Sequence, residues 1–245
     1  MWTFFHRLAS PPYFYGLSGR LLPWLAWLTA GLLAGGIFSG LVLAPTDYQQ
    51  GDSYRIIFIH VPSAWMSLFI YVVMAASGVI GLIWRIKLAE IVSTVSAPIG
   101  AWFTFIALIT GSLWGKPMWG TYWVWDARLT SELVLLFLYL GVIALYTAIE
   151  DPRKGARASA ILALVGVINI PIIHFSVEWW NTLHQGATVS RIGAPAIDIS
   201  MLIPLLTMAL AFKLYYVCLL LLRTRSVVLQ RERNSAWVRE ELLGT

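Results

Sequence analysis

Six apolar runs, each close to twenty residues and broken by short polar segments, constrain this 245-residue chain more than any other feature. They cover about 21–43, 58–84, 92–113, 130–149, 158–175 and 199–222. At about 1.5 Å of rise per residue, some 20 residues of helix cross a hydrocarbon layer roughly 30 Å thick. Hydrophobic residues make up 59% and charged residues 12% of the chain. Soluble domains stand nearer 45–50% and about 25%, and could not bury this much apolar sequence. The expected fold is therefore an all-α polytopic membrane protein with six transmembrane helices in a single membrane domain, residues 1–245. No fixed-period repeat divides it. The first run outlasts the ~7–15-residue apolar core of a signal peptide, continuing through Gly35, Gly36 and Gly40, so it reads as a retained span. Asn169 and Pro171 predict a kink in the fifth.

The distribution of Lys and Arg sets the expected orientation. With the amino terminus inside, the inner segments carry Arg7, Arg20, Arg85, Lys87, Arg153, Lys154, Arg157 and five arginines between Arg223 and Arg239. The outer segments carry Arg55, Lys116, Arg128 and Arg191. Twelve against four puts both termini in the cytoplasm and the connection between helices 3 and 4 outside. The arginine-rich tail reads as a contact with anionic lipid or a cytoplasmic partner.

That external connection is the most unusual stretch. W-G-K-P-M-W-G-T-Y-W-V-W-D-A-R-L-T, residues 114–130, holds Trp114, Trp119, Trp123 and Trp125 with Lys116, Asp126 and Arg128. Each buried aromatic covers roughly 150–250 Å², so four indoles present about 600–1,000 Å², beyond the ~300–600 Å² of an ordinary largest patch. An extended backbone would put Trp119, Trp123 and Trp125 on one face as a shelf for a flat apolar ligand. A helical one would stack Trp119 on Trp123 alone. The competing reading is an aromatic belt at the membrane interface.

W-G-T-Y-W-V-W-D-A-R-L-T, residues 119–130, resembles the tryptophan-rich WWD signature of haem-handling proteins in cytochrome c maturation. Length, span pattern and two histidine-bearing segments, I-H-V-P-S-A-W and N-T-L-H-Q-G, make the whole chain similar to the CcmC haem-exporter family. That resemblance implies haem b as cargo, held on the periplasmic face of the bacterial inner membrane. It also implies delivery to the periplasmic haem chaperone CcmE, and association with the ABC-type subunits CcmA and CcmB and the small subunit CcmD. The family's two functional external histidines match His60 and His184.

The residues themselves suit such a cargo. A haem iron takes one or two axial imidazoles, its ring needs an apolar bed, and its propionates favour Arg or Lys. His60 and His184, in different external loops, are the expected axial ligands. Trp114, Trp119, Trp123 and Trp125 are the expected bed. Asp126 would orient an imidazole or cap a helix, and Arg128 would pair with a propionate or mark the membrane boundary. His174 lies nearer the membrane and ranks below His60 and His184 as a ligand, and His6, being cytoplasmic, reads as incidental. A structural zinc would need closely spaced additional ligands that the sequence lacks. Cys218 stands alone, which excludes an internal disulfide or cysteine cluster. Lys213 and Asn169 are the strongly polar side chains placed inside spans, fewer than an ion pathway usually shows. No phosphate-binding Gly-x4-Gly-Lys-Ser/Thr loop occurs, so ATP use would belong to another subunit, and nucleic acid is not an expected partner.

The expected function is presentation of haem rather than catalysis. Two alternatives belong to other classes. A b-type cytochrome subunit of a quinone oxidoreductase would pair histidines inside the spans, and a permease for an amphipathic solute would bind no porphyrin.

Overall fold

The computed structural model describes residues 10–186, 188–189 and 193–243. Among these the regular elements are helices: α1 Pro11–Phe38, α2 Ile57–Trp84, α3 Lys87–Trp119, α4 Ala127–Ala148, α5 Pro152–Gly166, α6 Asn169–Trp179, α7 Ile199–Arg231 and α8 Ala236–Leu243. Six helical stretches are long and apolar enough to cross a membrane, α1 continuing through a π-turn to Leu43 and α5 with α6 forming one stretch. The chain is a six-span membrane protein, as the apolar runs required.

Several helices extend past their apolar runs, α3 at both ends and α7 at its carboxyl end, because local chemistry as well as hydropathy sets where they start and stop. α1 opens at Pro11 and Pro12, whose fixed φ suits a first helical turn. Three others open on an aspartate whose side chain accepts backbone N–H groups: Asp126 from Leu129 at 2.8 Å, Asp151 from Arg153 at 2.9 Å, and Asp198 from Ser200 at 2.9 Å. α3 ends where Gly120 turns left-handed at φ 76°, its N–H donating to the Lys116 carbonyl at 3.0 Å. The expected break in the fifth span falls between α5 and α6. Pro171 has no N–H to offer Val167, whose carbonyl accepts from Ile170 instead, at 3.0 Å.

The core lies between α2, α3, α4 and α5–α6, built on Met66, Ile70, Tyr71, Leu135, Tyr139 and Ile173. Small residues let these helices approach closely. A Cβ on Gly100 would overlap the Tyr139 ring, so glycine there is what allows that tyrosine inside. Its hydroxyl donates to the Ser67 carbonyl at 2.8 Å.

Each end of the bundle is tied differently. At one end Arg231 reaches Glu90 at 3.6 Å and Lys87 reaches Glu232 at 3.1 Å, while Arg225 lies over the Tyr15 ring at 3.6 Å. At the other, the three connections 44–56, 120–126 and 180–198 meet over the ends of α2 and α3.

Candidate functional site

His60 is in the first turn of α2 rather than in a loop, and is buried with 9% of its surface exposed. Its Nδ1 lies 3.0 Å from the Ala107 carbonyl and 3.1 Å from the Thr110 hydroxyl on α3. A carbonyl only accepts, so Nδ1 carries the proton and Nε2 keeps its lone pair for a metal. Residues 107, 110, 111 and 114 recur at helical spacing and form one face of α3. Gly111 belongs to it because a Cβ there would sit 2.9 Å from His60 Cε1. Trp114 closes the same face, its ring edge-on to His60 with centres 5.7 Å apart. The Trp114 indole N–H donates to Gln50 at 3.0 Å, which fixes it to the first connection.

His184 comes from the long connection after α6 and is held by a relay. The Asp126 carboxylate caps α4 through one oxygen and accepts the Thr182 hydroxyl through the other. The Thr182 oxygen in turn accepts the His184 backbone N–H at 3.1 Å. His184 Nδ1 donates to the Gln185 carbonyl at 3.0 Å, again leaving Nε2 free. Burial, then the nearby Arg128 guanidinium, hold this imidazole below its usual pKa. It is therefore neutral at neutral pH, the state that ligates a metal.

The two imidazole ring centres lie 6.3 Å apart, with planes inclined by 37°. A metal–imidazole bond is about 2.0–2.1 Å, and a ring nitrogen lies roughly 1.2 Å from its ring centre, so two coaxial ligands of one ion have centres about 6.4 Å apart. The measured centre-to-centre distance is close to that value. Trp119, at the end of α3, sits beside it with its ring 6.2 Å from His184.

The other two indoles stand apart from that group. Trp114 and Trp119 are helical, so the irregular segment shrinks to residues 120–126. Within it Trp123 and Trp125 pack edge to face at 5.4 Å and 76°, not as one flat shelf with Trp119. They roof an apolar groove of about 510 Å³ between α3 and α4, lined also by Phe105, Ile109, Leu113 and Leu133. Trp125 is 75% exposed. The Trp123 indole N–H is buried without an acceptor, a deficit of about 1–3 kcal/mol that a bound acceptor would remove.

Asp126 serves both structural purposes at once, capping α4 and anchoring the His184 connection. Arg128 donates to the Ile173 carbonyl at 2.9 Å. Among the described residues no carboxylate lies within 4.0 Å of it, which leaves its guanidinium available to an anionic group. Sequence reasoning overlooked Glu132, one turn further along the same face of α4. It is buried at 8% exposure and accepts from the Ser67 hydroxyl at 2.7 Å. The signal was present: a carboxylate inside an apolar run, four residues after an arginine.

The remaining candidates fall outside the cluster. The His174 ring stacks edge-on with Phe175 at 4.7 Å. Lys116 donates to the Gly120 carbonyl at 3.0 Å, and Arg55 bonds Asp52 and the Gly40 carbonyl at 3.0 Å each. His6, Arg7 and Arg191 lie outside the described residues. Among the described residues no group of three His, Cys, Asp or Glu side chains is arranged to hold a metal ion.

Comparison with known proteins adds an independent finding. A family described as heme exporter protein C matches residues 4–239. The chain is 54% identical over 243 residues to heme exporter protein C of Escherichia coli K12, covering 99% of this chain and 98% of that one. It is 56% identical over 228 residues to heme exporter protein C of Bradyrhizobium diazoefficiens, covering 93% and 86% of the two chains. With the Haemophilus influenzae protein of the same name it shares 50% identity over 239 residues, or 98% and 97%.

Proposed function

The chain belongs to the heme exporter protein C family, and from that premise we propose that it holds haem for c-type cytochrome biogenesis and passes it on. The observation that carries this reading is the His60–His184 pair, spaced at 6.3 Å and flanked by Trp114 and Trp119. His60 and His184 bind the iron through Nε2 from opposite faces of the ring. Trp114 and Trp119 fix the ring plane, and Arg128 receives a propionate as a charge-assisted hydrogen-bond donor. The cargo is haem b, taken without covalent attachment, since Cys218 is buried in α7 away from this end.

The site lies on the periplasmic side of the inner membrane, the side with few Lys and Arg. There the exposed Trp125, packed against the half-buried Trp123, helps dock the haem chaperone CcmE, to which one open porphyrin edge is offered. The chain contributes position and orientation, while covalent attachment is completed on the chaperone. CcmA, CcmB and CcmD associate with it in the membrane and supply any ATP-driven step.

The test is transfer from the purified, haem-loaded protein to CcmE. Transfer should follow loading, and should fail when His60 and His184 are both replaced by Ala. Undiminished transfer in that double variant would overturn the reading, as would a reporter fused after Thr245 proving periplasmic.

A further inference from the structure

Lys213 is an exposed cation at a depth where the bilayer offers it nothing. It lies on α7 about 21 Å from the helix start at Ile199 and about 15 Å from Arg223, at ~1.5 Å per residue. Its ammonium sits 5.1 Å above the ring of Phe69, itself about 18 Å along α2 from Ile57 at the same rise. Helical side chains lean toward the amino-terminal end, so the lysine points away from Arg223 rather than snorkelling toward it. A stem of roughly 6 Å does not reach either surface from this depth. Among the described residues no carboxylate lies within 4.0 Å. The ring face of Phe69 offsets only part of the cost of holding a cation in hydrocarbon.

The surroundings are a smooth apolar face. Leu206 and Leu210 precede Lys213 on the same stripe of α7, and Val72 follows Phe69 on the same stripe of α2. All four are exposed, at 45%, 50%, 47% and 40% for Leu206, Leu210, Val72 and Phe69.

We propose that the α2–α7 face around Lys213 docks a transmembrane helix of a partner subunit that carries an Asp or Glu near its own midpoint. The carboxylate supplies the missing charge, while Phe69, Val72, Leu206 and Leu210 supply the packing that specifies register. This surface is separate from the histidine pair and does not depend on what that pair binds. It names where a membrane partner sits and by what chemistry it is recognised.

Two substitutions separate this from an idle lysine. Lys213→Met removes the unpaired cation, so the isolated chain should insert and resist heat at least as well as the parent. Yet it should retain about tenfold less of its membrane partner on purification from native membranes, the loss expected for an intramembrane charge pair worth roughly one factor of ten. Lys213→Glu should abolish retention, and exchanging the partner's mid-span carboxylate for Lys should restore it. A photo-crosslinker at Leu210 should reach that helix, and one at Ile161 on α5 should not. The proposal is overturned if Lys213→Met and Lys213→Glu keep the full complement of partner. It is equally overturned if Leu210 crosslinks only to lipid or to a second copy of this chain, or if no partner carboxylate rescues Lys213→Glu.

Discussion

The ring centres of His60 and His184 lie 6.3 Å apart although 124 residues separate them in sequence. His60 is held from another helix, and His184 is held by its chain neighbours Thr182 and Gln185 only as far as Thr182 is itself anchored on Asp126. α3 holds His60 through Ala107 and Thr110, and the amino-terminal cap of α4 holds His184 through Thr182. The site is therefore a product of helix packing, and it is sensitive to substitutions that touch neither imidazole.

Gly111 is the sharpest case. A methyl there meets His60 Cε1 at 2.9 Å, and the ring must turn away from Ala107. Gly111→Ala should leave expression and helix content intact but weaken iron ligation by His60 by about tenfold or more, the scale for loss of an outer-sphere contact. Haem titration followed by absorbance measures it.

Asp126 divides a structural role from a charge role. Asp126→Ala loses the α4 cap, about 1 kcal/mol, and frees Thr182 and the His184 connection together. Asp126→Asn keeps an acceptor for Leu129 and a partner for Thr182. Haem affinity should fall much further in the alanine variant than in the asparagine one, and Thr182→Val should resemble alanine in affinity while keeping thermal stability. Equal losses from alanine and asparagine would assign the effect to charge instead.

His184 gives the expected pH dependence. Its folded pKa is depressed, chiefly by burial and then by Arg128. Above the ordinary value of about 6.5 both folded and unfolded chains hold it neutral, and folding is unaffected. As pH falls below that value the unfolded chain takes up the proton first, so stability declines until the folded pKa is passed. Side-chain NMR of the haem-free protein should show His184 titrating below 6.5, and a midpoint at or above it would contradict the burial described here.

The indoles should separate by position. Trp119→Ala, beside His184, should lower haem retention. Trp125→Ala, 75% exposed and 5.4 Å from Trp123, should leave the haem spectrum unchanged and reduce chaperone binding. Identical effects from both would restore a single continuous shelf.

Much of this architecture was legible in the sequence because hydropathy is a local property. Six apolar runs required six spans, and Pro171 required the break between α5 and α6. The resemblance across residues 119–130 pointed to the family that the comparisons show. What stayed hidden depends on contacts between distant segments. The pattern W-x3-W-x-W allowed one shelf if extended or a Trp119–Trp123 stack if helical, yet Gly120 ends α3 between the first indole and the second, and the group splits. His60 reads as the edge of a loop until α2 places it in its first turn, buried against Ala107, Thr110 and Trp114 of α3. Glu132 was overlooked because one carboxylate barely alters the mean hydropathy of its span. Its bond from Ser67 shows that it is inside.

The most direct measurement is the absorption and electron paramagnetic resonance of purified, haem-loaded protein, taken for the parent, His60→Ala and His184→Ala. The parent should give a low-spin, six-coordinate bis-imidazole iron. Each single variant should become five-coordinate and high-spin, and free imidazole should restore the original signal. A bis-imidazole spectrum that persists in either variant would contradict the assignment of these two side chains to one iron.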